Sequence, residues 1–181
     1  MPEHSNTSSA GTLRNGLLIE AAELRIVSLP LLTPFVISTG TMTCKTFPLL
    51  VLKGEGLEGI AEAVMDPTPD YLEETIPGAL AFLRDVLLPS IVGKRFASPY
   101  ELEPYLAPWR GHRMAKAVAE MAFWDMWCKS LGIPLKAALG GVGDFVDVGV
   151  SLGIAHIEKT LDRIDEALAD GYKRTKLKIA R

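Results

Sequence analysis

Residues 146–179 read as one strand–helix–strand unit, and a single such unit cannot bury its own faces. Val146, Val148 and Val150 run toward Leu152 as an apolar strand, broken by Asp147 and Gly149. Ile157 to Asp170 places Leu161, Ile164 and Leu168 on one helical face, Gly171 caps it, and Arg174 to Ile179 is the next strand. Strands joined by a crossover helix are parallel and buried, and chemistry sits at their C-terminal ends. The sequence is therefore predicted to open a parallel barrel or sheet here. Gly140-Gly141-Val142-Gly143 stands just before it. A phosphate-cradling loop needs a preceding strand and a fuller spacing, with a lysine in the P-loop case. Neither is present, so the cluster reads as a turn between two regions.

Upstream the pattern is different. Leu17 to Leu29 alternates as a strand that Pro30 ends, and Pro30 to Thr41 reads as a loop. Phe47 to Lys53 and Leu57 to Val64 flank Gly54-Glu55-Gly56, a hairpin turn, which completes a three-stranded antiparallel meander. Met65 to Thr75 is a second loop, its two prolines excluding helix. A helix entered through Pro77 ends at Pro89, and a capping box at Ser98-Pro99-Tyr100-Glu101 starts a short helix to about Ala107. His112 to Leu131 is the longest helix, with a broad apolar face and Gly132 as its C-cap, and Pro134 to Leu139 adds a turn or two.

Composition narrows the function classes. The chain has 181 residues, is 48% hydrophobic and carries a net charge of −3, which argues against nucleic acid and anionic membrane surfaces as partners. No apolar run approaches the ~18 residues of a membrane helix. His4, His112 and His156, with Cys44 and Cys128, form no close-spaced metal cluster. Two distant cysteines are expected as free thiols in a reducing cytoplasm, unbonded to each other. Met1 to Gly16 is rich in Ser, Asn, Thr and Gly, has no apolar signal core and reads as a flexible tail.

Lys176-Leu177-Lys178 carries the candidate chemistry. Side chains two apart on a strand share a face. Two ammonium groups there repel, and an active site can use this, because a neighbouring cation and burial lower a lysine toward the range of a working base. A solvated face of an edge strand accounts for the same pair. Ser151 stands near the end of the preceding strand, where it can contact a ligand or satisfy backbone. Phe35 and Tyr71 are loop aromatics, suited to a ligand or to packing on their own domain, and Thr39, Met65 and Asp66 flank the same loops.

The element order resembles the enolase superfamily, in which an N-terminal capping domain covers the mouth of a (β/α)-barrel. Within it the chain is similar to the o-succinylbenzoate synthase/N-succinylamino acid racemase family (N-acylamino acid racemases), from about Leu18 onward. Leu29-Pro30 with Pro34-Phe35, Pro69-x-Tyr71-x-x-Glu74-Thr75, and Gly111-His112-Arg113-Met114-Ala115-Lys116 carry the resemblance. So do Gly149-Val150-Ser151-x-Gly153-Ile154, and Gly171-Tyr172 leading into Lys176-Leu177-Lys178.

The resemblance implies an α+β capping domain over residues 17–143. The first βαβ unit of a TIM-type (β/α)-barrel follows over 144–181, after a tail at 1–16. It implies that the 181 residues are an N-terminal fragment, inactive alone, of a protein whose barrel spans ~250 residues. In the whole protein Lys178 would remove the proton α to a carboxylate, with Lys176 tuning its pKa and orienting it. Ser151, Phe35, Tyr71, Thr39, Met65 and Asp66 would contact substrate. Mg²⁺, held by acidic residues on later strands and by none here, would stabilise the enediolate. The outcome is dehydration to o-succinylbenzoate for menaquinone synthesis, or racemisation of an N-acylamino acid. A muconate-cycloisomerase-like or dipeptide-epimerase activity, and a non-catalytic capping module, are the alternatives. The implied setting is cytoplasmic, with a small carboxylate as partner and homo-oligomers of the whole protein admitted.

Overall fold

The computed structural model describes residues 16–38 and 40–179. The tail expected at 1–16 falls outside them, except for Gly16. Two compact units share the chain: one from residues up to Val27 with Phe47–Gly141, the other from Ser28–Thr46 with Val142 onward.

The first unit is a sheet with helices packed on it. β1 (Leu17–Leu18) pairs antiparallel with β5 (Arg95–Phe96). β2 (Ala21–Ile37), β3 (Gly40–Gly54) and β4 (Leu57–Glu62) form a three-stranded sheet in that order, the antiparallel meander expected, of which the hairpin stretch Ser28–Thr46 is counted with the second unit. The β3–β4 register runs from Leu49 opposite Glu62 to Gly54 opposite Leu57. Glu55 (φ 52°) and Gly56 (φ 77°) make the turn in the left-handed region that a two-residue hairpin loop demands.

Helix α4 (Arg113–Leu131) lies on this sheet, and the contact is backbone on backbone. A Cβ on Gly59 would stand 2.0 Å from the Ala122 carbonyl oxygen and 2.8 Å from the Met126 nitrogen. Ala115, Ala119 and Ala122 keep the helix slim enough to come this close, and Leu50, Leu52, Phe123 and Met126 complete a buried core around it. Asp125 fastens the edge: its carboxylate accepts from the Ile60 amide at 2.9 Å and from Lys129 Nζ at 2.7 Å. Gly132 (φ 65°) ends the helix as a left-handed cap, as its sequence position predicts.

Several boundaries differ from the expectation. Pro30 does not end β2, and the region read as a loop from Pro30 to Thr41 is strand up to Ile37 and again from Gly40. β2 is an outer strand of its sheet. The Val36 carbonyl turns outward to the Ile154 amide. Pro30 and Pro34 share its parity along the strand, so their missing N–H groups fall on the unpaired edge, where proline is tolerated. Pro89 does not stop its helix either. α1 (Ile76–Phe82) widens into a π-turn over Leu83–Leu87 and resumes as α2 (Leu88–Ile91), which seats Pro89 in a first turn needing no donor. The capping box at α3 (Pro99–Leu106) is incomplete: Glu101 accepts from the Ala97 amide at 2.7 Å, and Ser98 makes no side-chain cap.

The second unit holds the predicted βαβ. β6 (Val150–Leu152) and β7 (Thr175–Leu177) are parallel neighbours, joined through α6 (Ile157–Ala169). β6 is shorter than expected. Val146 and Val148 are largely exposed and lie before its first residue. Ile157, Leu161 and Leu168 leave an apolar face of α6 open to solvent, and Ala167 is its one buried residue.

Gly59→Ala is expected to cost about 3 kcal/mol or more, since the methyl meets helix backbone that cannot rotate away. Urea unfolding followed by tryptophan fluorescence measures it. Cys44 is exposed, and Cys128 is buried with its thiol pushed up by burial and then by the Asp125 carboxylate. Ellman's reagent is expected to titrate one thiol rapidly in the native protein and the second only on unfolding.

Candidate functional site

The face shared by β6 and β7 brings Ser151 and the lysines together. The register sets Ser151 opposite Lys176 and Leu152 opposite Leu177, so Ser151 and Lys176 point to one side of the pair. Lys178 lies one residue beyond β7, and its amide donates to the Leu152 carbonyl at 3.0 Å, which continues the ladder. Lys178 therefore stays in step with Lys176 at the C-terminal end of two parallel strands. The strands approach closely at the other end, where a Cβ on Gly149 would stand 2.9 Å from the Arg174 carbonyl oxygen. A depression of about 470 Å³ opens on this pair, lined by Gly149, Val150, Ser151, Arg174, Thr175 and Lys176.

Phe35 reaches the same unit through the β2–β3 hairpin. Its neighbour Val36 accepts from the Ile154 amide at 2.8 Å. Phe35, Ser151 and Gly153 line a second cavity, of about 360 Å³, that extends to Tyr172 and to the side of α6. Ser151 belongs to both cavities. Thr39 lies outside the described residues.

Met65, Asp66 and Tyr71 belong to the first unit. Met65 is 1% exposed and packs in the helix-and-sheet core, where its side chain has no open face to offer a ligand. Asp66 and Thr75 form an isolated bridge that closes the base of the second loop, and the Ile76 amide donates to the Asp66 carbonyl at 2.9 Å. Between these ends Tyr71 is 83% exposed. Glu74 anchors the loop. Its two carboxylate oxygens accept from the amides of Met114 (2.8 Å) and Ala115 (3.1 Å) at the start of α4. His112 precedes α4 in the left-handed region without capping it, and stacks on Phe82 at 4.2 Å. Glu74 thus supplies the missing cap, a carboxylate at the positive end of a helix.

In the sequence Glu74 and Gly153 stand out only as letters of longer motifs, and Val36 does not stand out at all. The signal for Glu74 was an acid shortly after a proline loop, without a polar N-cap at the helix it serves. Nothing local marks Val36, whose partner is distant in the chain. Among the described residues no three His, Cys, Asp or Glu side chains gather as a metal site, and no helix is long and apolar enough to cross a membrane.

Residues 21–140 match the family model of the mandelate racemase/muconate lactonizing enzyme N-terminal domain. The chain belongs to this family. Its sheet and helices are the family's N-terminal capping domain, as found in the enolase superfamily. The chain is 53% identical to the N-succinylamino acid racemase of Thermus thermophilus over 89% of its own length and 44% of that protein's. It is 38% identical to the o-succinylbenzoate synthase of Bacillus subtilis, again over 89% of this chain and 44% of the relative. A solved enolase-superfamily member from Listeria innocua superposes with a TM-score of 0.83 at 34% identity, covering 91% of this chain and 45% of that one. The chain thus spans less than half the length of the relatives it matches.

Glu74→Ala is expected to cost about 1–2 kcal/mol, the usual worth of an N-cap, and to free the loop around Tyr71. Limited proteolysis, with cleavage moving into residues 66–75, reads the second effect.

Proposed function

We propose that the whole protein abstracts the proton α to a carboxylate, with Lys178 as the base and Lys176 beside it. The observation that carries this is the β6–β7 pairing: it holds both lysines and Ser151 in register at the C-terminal end of parallel strands, where barrel enzymes do their chemistry. A primary amine there is suited to proton transfer, and its cationic neighbour favours an anionic substrate. The exposed apolar face of α6 supports residues 144–181 as the opening of a (β/α)-barrel domain after a capping domain at 17–143. The names of the relatives support two outcomes from one first step: dehydration to o-succinylbenzoate, or reprotonation of an N-succinyl amino acid from the opposite face.

In this reading Ser151 hydrogen-bonds the substrate, Phe35 walls it, and Thr39, Tyr71 and Asp66 contribute from the two loops, while Met65 supports the second loop from within the core. The substrate is a small carboxylate met in the cytoplasm. Mg²⁺, which the family resemblance implies, finds no ligand set among the described residues. Residues 1–181 alone are inactive in this reading.

Lys178→Ala in the whole protein is expected to lower substrate α-proton exchange at least a thousandfold, within the range of general-base effects. Lys178→Arg should fail equally, because a guanidinium does not deprotonate near neutral pH. NMR in deuterated solvent is the measurement, on an N-succinyl amino acid of each hand and on the o-succinylbenzoate precursor. Wild-type exchange in Lys178→Ala puts the base elsewhere.

A further inference from the structure

Gly153 is the point where the β2–β3 hairpin meets β6, and both lie in the same compact unit. Its φ is not in the left-handed region, so conformational freedom does not explain the glycine. Space does. A Cβ at this position would lie 3.0 Å from both the nitrogen and the oxygen of Val36, and 3.4 Å from the Phe35 ring. The next residue, Ile154, donates its amide to the Val36 carbonyl at 2.8 Å. The hairpin backbone thus rests on the bare α-carbon of Gly153 and is held by one hydrogen bond from its neighbour. The cavity of about 360 Å³ that Phe35 shares with Ser151 is formed where these two backbones meet.

We propose that Gly153 is a positioning residue: it seats the hairpin on the end of β6, and the seat fixes Phe35 as a wall facing Ser151. A methyl at 3.0 Å from backbone forces one of the two chains to give. The hairpin gives, because β6 is pinned on its other side by β7 through three paired residues and the Lys178 amide. Phe35 moves with it. The lysines do not, since they belong to β7 and its continuation, on the side of β6 away from the hairpin. Gly153 therefore sets substrate affinity and leaves the proton-transfer step untouched. This role rests on the proposed α-proton abstraction, while the docking itself does not.

Two measurements separate them. In the 181-residue chain, amide exchange by NMR reads the docking without substrate. The Ile154 amide is expected to be protected in the wild type and to exchange at least tenfold faster in Gly153→Ala. The Lys178 amide should remain protected. The tryptophans Trp109, Trp124 and Trp127 all lie in the first unit, so unfolding followed by their fluorescence should be unchanged. An Ile154 amide that exchanges freely in the wild type, or equally slowly in the variant, overturns the seat. The wild-type arm holds even if the variant fails to fold. In the whole enzyme, Gly153→Ala is expected to raise KM for an N-succinyl amino acid about tenfold, with kcat within about twofold. An unchanged KM, or a kcat that falls at constant KM, overturns the positioning role. Absence of turnover in the wild type refutes the proposed activity instead, and the Ile154 amide then decides the docking in either direction.

Discussion

The first unit depends on one close approach, the backbone of α4 against the α-carbon of Gly59. A glycine in a strand normally weakens it, because it packs nothing and loses more entropy. Here that loss is offset by what the approach allows. With Ala122 directly over Gly59, the larger side chains of α4 and β3 interdigitate on either side, and Phe123, Met126, Leu50 and Leu52 are all fully buried. The helix axis is then fixed in height and rotation, and the polar contacts follow. Asp125 reaches the Ile60 amide, and Lys129 reaches the Glu58 carbonyl at 2.9 Å. At the far end of the helix, the first free amides present themselves to Glu74. The loop that carries Tyr71 is thus located by a helix that is itself located by a missing methyl group.

Much of this was legible in the sequence, and the reasons are local. Alternation over Phe47–Lys53 and Leu57–Val64 with a glycine-flanked turn specifies a hairpin. A long stripe of alanine and larger apolar residues, closed by Gly132 and Pro134, specifies α4. The prolines misled for an equally physical reason. A proline reports a missing donor, and whether this matters depends on whether that donor would face a partner. Pro30 and Pro34 face the outer edge of β2, and Pro89 follows a π-turn, so none breaks its element. Val146 and Val148 show the converse. Their alternation suits a strand, but they lie before the β6–β7 pairing begins and remain irregular and exposed.

The site divides in the same way. Lys176 and Lys178 were readable as a pair because strand periodicity alone puts them on one face. Their registration with Ser151 required the parallel pairing of β6 and β7, which the βαβ pattern predicts in kind though not in register. Met65 flanks a loop and its side chain turns inward, a direction that loop position alone does not give. The two units also differ in how much they bury. The described core lies in the first, whereas α6 buries little more than Ala167. Few buried contacts mean a low free energy of local opening.

The docking of the hairpin on β6 also has a history in time. Val36 and Ile154 lie on opposite sides of the whole stretch 47–141. At roughly 5–20 residues per second, a ribosome takes on the order of 5 to 20 seconds to add that stretch. Throughout that interval the hairpin exists without its partner strand, its outer edge unpaired. Open strand edges recruit other strands, including those of neighbouring nascent chains. The prolines at 30 and 34 remove two donors from this edge and make it a poor template while it waits. Residues that look awkward for a strand in the finished molecule thus lower the pairing capacity of this edge in the incomplete chain.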